Sequence, residues 1–214
     1  MLAIPELSLV LIQPPRTGST ALRAGLETRY PRTRRLYRHM ERDGLPGTYA
    51  GWTIACTIRH PLTRLHSLWR YMRRQKPEDH SDKDWARRVA RDARRPFRDW
   101  VLESRDPFNT SPPGATANPG FYDIRHSTPI TRKSQHVWAR PDLGPVRLIR
   151  LERPEDISAV LGVTPDAGFS NTAPGPSLAP LCSELHRHLI THFSWDLSHY
   201  TEDLHDHRRL SQDR

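Results

Sequence analysis

Between Ser8 and Leu22 the chain runs Ser-Leu-Val-Leu-Ile-Gln-Pro-Pro-Arg-Thr-Gly-Ser-Thr-Ala-Leu, and few folds accommodate that order of residues. Ser8 to Ile12 is an unbroken apolar run of strand length, the pattern of a strand buried on both faces. Pro14 and Pro15 forbid its continuation, because proline fixes φ and carries no backbone donor. Gly18 permits a tight turn, and Ser19 or Thr20 is expected to cap a helix from Thr20 to Tyr30, with Leu22, Leu26 and Tyr30 at helical spacing and Pro31 as its end. Such a junction leaves the free N–H groups and positive end of the helix facing outward, a setting that favours an anion. Strand, turn and capped helix occur throughout α/β proteins, so Arg16 matters. It is a permanent cation whose planar fork suits oxyanions. The stretch is not a Walker A loop: Pro14, Pro15 and Arg16 occupy the approach, and serine rather than lysine follows Gly18.

A second junction of the same kind follows. Trp52 to Ile58 is β-branched and apolar and ends in Arg59-His60-Pro61, and proline suits the first turn of a helix. In that helix Leu62, Leu65, Trp69 and Met72 form the buried stripe, while Arg64, Ser67 and Tyr71 share a neighbouring one. If the two strands are parallel neighbours, both junctions open at one carboxyl edge of the sheet, where α/β proteins bind ligands. A short strand is expected at Arg34 to Arg38, directly before His39. A further strand, Val146 to Leu151, leads to Glu152 and to a helix from Pro154 to Leu161 closed by Gly162. Helices are also expected over Asp84 to Arg95, Pro96 to Ser104, Thr131 to Trp138 and Leu178 to Phe193. The expected architecture is one α/β domain over 1–214, a P-loop-like three-layer α/β/α fold with a small central parallel sheet. Loops are expected over 76–83, 105–130 and 163–176, with a frayed tail over 205–214.

Thirty-three Lys and Arg against 24 Asp and Glu give a formal charge of +9, nearly all of it from arginine, which favours anionic partners. A GC-rich genome produces the same arginine bias without functional meaning. Cys56 and Cys182, the two cysteines, lie far apart, so neither a disulfide framework nor a zinc site is expected. The start lacks a signal-peptide pattern and the longest apolar run is too short to span a bilayer, which predicts a cytoplasmic protein without a membrane span.

With both junctions in hand, the chain resembles the sulfotransferase superfamily, whose members use 3′-phosphoadenosine 5′-phosphosulfate, and its carbohydrate-directed branch in particular. Pro15-Arg16-Thr17-Gly18-Ser19-Thr20 is similar to that family's 5′-phosphosulfate loop. The run from Arg59 through Pro61, Arg64 and Ser67 to Trp69 is similar to its 3′-phosphate element with the spacing retained. His60 stands where an acidic or amide residue is usual, and Trp69 where tyrosine is more common. Leu148 to Asp156 resembles the later strand with its glutamate, and Ser134-Gln135 a Ser/Gln pair before it. The resemblance implies that Arg16 contacts the 5′-phosphosulfate and stabilises the departing oxygen. It implies that Thr17, Gly18, Ser19 and Thr20 cradle the 5′-phosphate, and that Arg59 and Ser67 hold the 3′-phosphate, with Arg64 a lesser candidate whose equivalent is structural in some members. No metal is implied.

An acceptor hydroxyl needs a general base. His39 is the first choice, because its ordinary pKa lies near neutrality and it falls between the two motifs, where related carbohydrate sulfotransferases place a histidine. Glu41 ranks behind it, and His126 and His136 are outsiders. The expected activity is sulfuryl transfer from the cosubstrate to a hydroxyl of a small molecule or glycan, with nucleic acid an unfavoured partner and the oligomeric state open. The alternatives are an arginine-rich nucleic-acid-binding module and a kinase with a degenerate loop, the latter disfavoured by the absent loop lysine.

Overall fold

The computed structural model describes residues 1–37, 39–79, 83–105, 128–164 and 182–200. Five strands form one mixed sheet: β1 (Leu2–Ile4), β2 (Leu9–Ile12), β3 (Arg34–Arg35), β4 (Thr53–Ile58) and β5 (Arg147–Arg150), in the spatial order β3-β1-β2-β4-β5. β2 pairs with β4, and β4 with β5, in parallel, whereas β1 runs antiparallel to both β2 and β3. The parallel sheet expected from the sequence is therefore confined to three strands. The correction lies in Leu2–Ile4, a strand too short to show a period. The 3-10 turn Pro5–Leu7 folds it back on β2, with Ser8 in a left-handed conformation (φ 44°) closing the reversal.

Seven α-helices lie among the described residues: α1 (Ser19–Arg29), α2 (Pro61–Arg73), α3 (Lys83–Asp92), α4 (Phe97–Glu103), α5 (His136–Ala139), α6 (Pro154–Leu161) and α7 (Ser183–Ser198). The period-2 alternation of β2 and β4 sorts them into two layers. Leu9, Leu11 and Ala55 pack with Leu22 and Leu26 of α1 and with Ile157 and Leu161 of α6. Val10, Ile12, Ile54, Cys56 and Ile58 face the opposite way, onto Leu62, Leu65 and Leu68 of α2, Trp100 of α4 and Leu185, Leu189 and Phe193 of α7. These residues are nearly all inaccessible to solvent. The arrangement is compatible with a three-layer α/β/α fold. No helix among the described residues is long and apolar enough to cross a membrane.

Several elements differ from expectation. Residues 76–83 are not simply loop, since Pro77–Asp79 is a 3-10 turn and Lys83 begins α3. The expected helix from Thr131 is split into a 3-10 turn, Ile130–Arg132, and α5, because Gln135 turns inward to make buried contacts. α7 runs past Phe193 to Ser198, with Phe193 itself non-helical (φ −130°, ψ 25°). The expected loop cores, 106–127 and 165–176, and the tail 205–214 lie outside the described residues.

Candidate functional site

Register brings the two junctions together. Ile12 is opposite Cys56 in the parallel β2·β4 pair, so the loop after β2 and the Arg59-His60-Pro61 turn after β4 leave the same carboxyl edge. The first loop is tied down from below. The Thr17 hydroxyl donates to the Pro14 carbonyl at 2.8 Å and, its one proton spent, accepts from Thr57 on β4 at 2.7 Å. Thr17 is fully buried, so its side chain holds the loop's shape and its hydroxyl faces the protein rather than a guest. Gly18, not Ser19 or Thr20, occupies the N-cap of α1, with φ 70° and no side-chain cap bond. A Cβ there would come within 2.8 Å of a Leu151 methyl, so both conformation and space call for glycine. The first backbone bond entering α1 runs from the Leu22 N–H to the Gly18 carbonyl, 3.1 Å. That leaves the first-turn N–H groups directed out of the helix end beside Ser19 and Thr20.

Arg16 sits at the top of this loop, in a left-handed conformation (φ 68°) that arginine rarely adopts. Its Nε donates to the Ser67 hydroxyl on α2 at 3.2 Å, and its guanidinium lies 4.8 Å from the centre of the Tyr71 ring. No carboxylate among the described residues lies within ion-pair distance of it. Burial pushes its pKa down, the Tyr71 hydroxyl pulls it back up, and the cations of Arg59 and Arg74 push it down further. Arg59, from the second junction, donates through Nη1 to the Arg16 carbonyl at 3.4 Å. Its side chain is 12% exposed, and burial is likewise the main cause that lowers its pKa. Two mostly desolvated guanidinium groups thus meet at one edge, a costly arrangement without negative charge nearby.

Glu152, two residues after β5, supplies part of that charge. It stands 3.6 Å from the Arg59 Nε and accepts from the His60 N–H (3.2 Å), the Thr63 hydroxyl (2.9 Å) and the Tyr200 hydroxyl (3.0 Å). The Arg59 main chain is fixed from the other side: its N–H donates to Gln135 Oε1 at 2.9 Å, and its carbonyl accepts from Gln135 Nε2 at 2.7 Å.

Arg64 shares the α2 stripe with Ser67 but does not reach the edge. It is 1% exposed, donating from Nε to the Pro15 carbonyl (3.3 Å) and from Nη1 to the Lys133 carbonyl (3.0 Å), and burial lowers its pKa to about 10. It braces the loop from beneath, which agrees with a structural role and removes it as a direct phosphate ligand.

No family model matches this chain, and no curated protein or solved structure does.

Of the candidate bases, His39 stands beside the first loop. Its Nδ1 is 2.8 Å from the Gln13 carbonyl, which can only accept, so Nδ1 carries the proton and Nε2 is the basic nitrogen of the neutral ring. Its backbone is left-handed (φ 55°), and its own carbonyl accepts from the Trp138 indole at 3.0 Å. Glu41 is completely buried in an ion pair with Lys133 (3.1 Å), whose ammonium also lies 4.6 Å from the Trp138 ring, so its carboxylate serves the scaffold. His136 packs edge-on against Trp195, and His126 lies outside the described residues.

Sequence reasoning missed Asp196, Tyr200 and the supporting role of Tyr71. Tyr71 was legible as the member of the Arg64–Ser67 stripe one turn beyond Ser67. Asp196 and Tyr200 carried no signal, since their partners lie on segments remote in the chain.

Proposed function

We propose that this protein is a sulfotransferase of P-loop-like fold that moves a sulfuryl group from 3′-phosphoadenosine 5′-phosphosulfate to an acceptor hydroxyl, with a carbohydrate as the favoured acceptor. The observation that supports this best is the coupling of the two junctions: Arg16 bonded to Ser67, and Arg59 bonded to the Arg16 carbonyl. It joins two cationic subsites on one sheet edge, as a guest with phosphates at two separate positions requires. The residues also fit the guest. Arg16 is half-buried with no carboxylate in reach among the described residues, and the mostly buried Arg59 meets one carboxylate there, Glu152 at 3.6 Å, so an arriving oxyanion would offset the burial of both guanidinium groups.

In this reading the first-turn N–H groups of α1, with Ser19 and Thr20, bind the 5′-phosphate, and Arg59 and Ser67 bind the 3′-phosphate. The acceptor oxygen attacks sulfur in line as its proton passes to His39 Nε2. The bond from sulfur to the bridging oxygen breaks, and that oxygen leaves on adenosine 3′,5′-bisphosphate, its growing charge met by Arg16. Little covalent chemistry is asked of the protein; positioning and electrostatics supply the rate.

The test is transfer of labelled sulfate from the cosubstrate to a panel of glycans, phenols and lipids, alongside calorimetric binding of adenosine 3′,5′-bisphosphate. Transfer to any acceptor, with nucleotide affinity lost in Arg59→Ala and Ser67→Ala, is the expected result; neither transfer nor bisphosphate affinity sinks the reading. A nucleic-acid-binding module has one observation behind it, the exposed Arg87, Arg88 and Arg91 on α3. It predicts salt-steep binding to duplex or single strands without nucleotide affinity.

A further inference from the structure

The end of α7 reaches the candidate site through a chain of contacts that the chemistry above does not use. Asp196 is completely buried although it is a carboxylate. One of its oxygens, Oδ1, accepts from both the main-chain N–H of Gln135 (2.9 Å) and the Gln135 side-chain amide, and Oδ2 accepts from the Ser134 hydroxyl. These contacts fix the rotamer and the amide orientation of Gln135: Nε2 must be the nitrogen that meets Asp196, so Oε1 is the oxygen presented to the Arg59 N–H. Gln135 then holds both main-chain polar groups of Arg59. Four residues beyond Asp196, Tyr200 is 1% exposed and donates to Glu152, which stands against the Arg59 guanidinium. The break from helical geometry at Phe193 lies one turn before Asp196.

We infer that Asp196 and Tyr200 are positioning residues for Arg59, Asp196 setting its main chain through Gln135 and Tyr200 its guanidinium through Glu152, and that together they make the site selective for a nucleotide phosphorylated at the 3′ position. The inference rests on the assignment of Arg59 to the 3′-phosphate. Arg59 sits on a turn, and a turn alone leaves a long side chain several rotamers. Fixing both ends in advance removes the ordering cost that a bound phosphate would otherwise meet.

A competing role for Asp196 is charge balance. Arg64 is buried nearby, and Asp196 is the first of the charges that raise its pKa against the effect of burial. The two roles predict different losses. Arg64 braces the Pro15 carbonyl under the 5′ loop, so lost charge balance would weaken every nucleotide alike. Loss of Arg59 positioning would weaken only those that carry a 3′-phosphate.

The experiment measures, on the full chain, the dissociation constants of adenosine 3′,5′-bisphosphate and adenosine 5′-monophosphate by calorimetry. Wild type is compared with Asp196→Asn, Gln135→Leu and Tyr200→Phe, and each melting temperature is recorded. Wild type should prefer the bisphosphate. Tyr200→Phe, which removes a hydrogen bond to a charged group, should reduce that preference about tenfold, and Asp196→Asn, which leaves Gln135 a neutral acceptor in place of a carboxylate, should reduce it severalfold, both with monophosphate affinity unchanged. Gln135→Leu should abolish most of the preference. Parallel loss of both ligands in Asp196→Asn, or an unchanged ratio in Tyr200→Phe with the fold intact, overturns the inference. Wild type that does not discriminate between the two ligands instead overturns the 3′-phosphate assignment beneath it. Should Asp196→Asn fail to fold, Tyr200→Phe, which removes one hydroxyl, decides the matter.

Discussion

Substituting Gly18 by alanine strains the molecule in two ways that can be separated. At φ 70° an L-residue carries a backbone cost of about 1–2 kcal/mol. The added Cβ would also stand 2.8 and 3.0 Å from the two Leu151 methyls, closer than carbon atoms pack. Leu151 is half-buried in the turn just after β5, so it can rotate away, and such local overpacking costs about 1 kcal/mol or somewhat more. The expected total is about 2–3 kcal/mol. Urea unfolding followed by circular dichroism should show a midpoint about 1 M or more lower at an unchanged slope. Gly47→Ala is the control, since a Cβ at that position would meet no neighbour within 4 Å and the backbone has no positive φ; it should be near neutral. In a double-mutant cycle, Leu151→Ala should cost less in the Gly18→Ala background than in wild type, with a coupling of about 1 kcal/mol. A Gly18→Ala protein as stable as wild type within about 0.5 kcal/mol would refute the left-handed cap, and zero coupling would refute the close approach of Leu151.

Three further outcomes follow from the site and its scaffold. His39→Ala should lower turnover about a hundredfold or more while bisphosphate affinity stays within error, a general base being worth that much; unchanged turnover removes His39 from the chemistry. Lys133→Met takes a cation from beside the buried Glu41 and should cost about 1–3 kcal/mol in urea unfolding, whereas Lys133→Met with Glu41→Gln should recover part of it; a single variant near wild-type stability contradicts the ion pair. Burial lowers the pKa of His188 below its ordinary 6.5, and burial together with the His188 and Arg132 charges does the same for His192. At these two sites the unfolded chain binds more protons than the native one just below pH 6.5, so their contribution to stability should be full above that pH and be lost as the pH drops through it. His192→Gln should flatten the fall that begins near the ordinary histidine pKa of 6.5, and an equally steep profile would show that this ring does not cause it.

What could be read from the chain was local. Both junctions, the stripe that places Ser67 and Tyr71 on one side of α2, and the helix after Glu152 are written in residues a few positions apart. Strand ends, prolines and helical spacing act over that range. The antiparallel strand Leu2–Ile4 was not legible, because three residues before a proline show no period, and its partners β2 and β3 define it. The cap stands at Gly18, one or two residues before the expected Ser19 or Thr20, for a similar reason: serine and threonine are the commoner caps, and the left-handed turn together with the approach of Leu151, far along the chain, reserves the position for glycine. Arg64 has the helical phase of Ser67, but its burial under Pro15 and Lys133 depends on two loops closing over it. The Asp196–Gln135–Arg59 chain links segments 61 and 76 residues apart, so Arg59 and Gln135 each stood out in their own motif while Asp196 and the connection between the three left no pattern.

Arg16 and His39, the two side chains assigned to bond breaking, both stand on left-handed backbone that glycine would occupy without strain. Glycine at either position would relieve about 1–2 kcal/mol of backbone strain in the native state against about 0.5–1 kcal/mol of extra unfolded-chain entropy and the loss of the Arg16–Ser67 or His39–Gln13 hydrogen bond, worth about 0.5–1.5 kcal/mol, a net effect near zero. Selection for stability alone therefore does little to hold either side chain in place. Consensus or stability-guided redesign of this scaffold should hold residues 16 and 39 fixed.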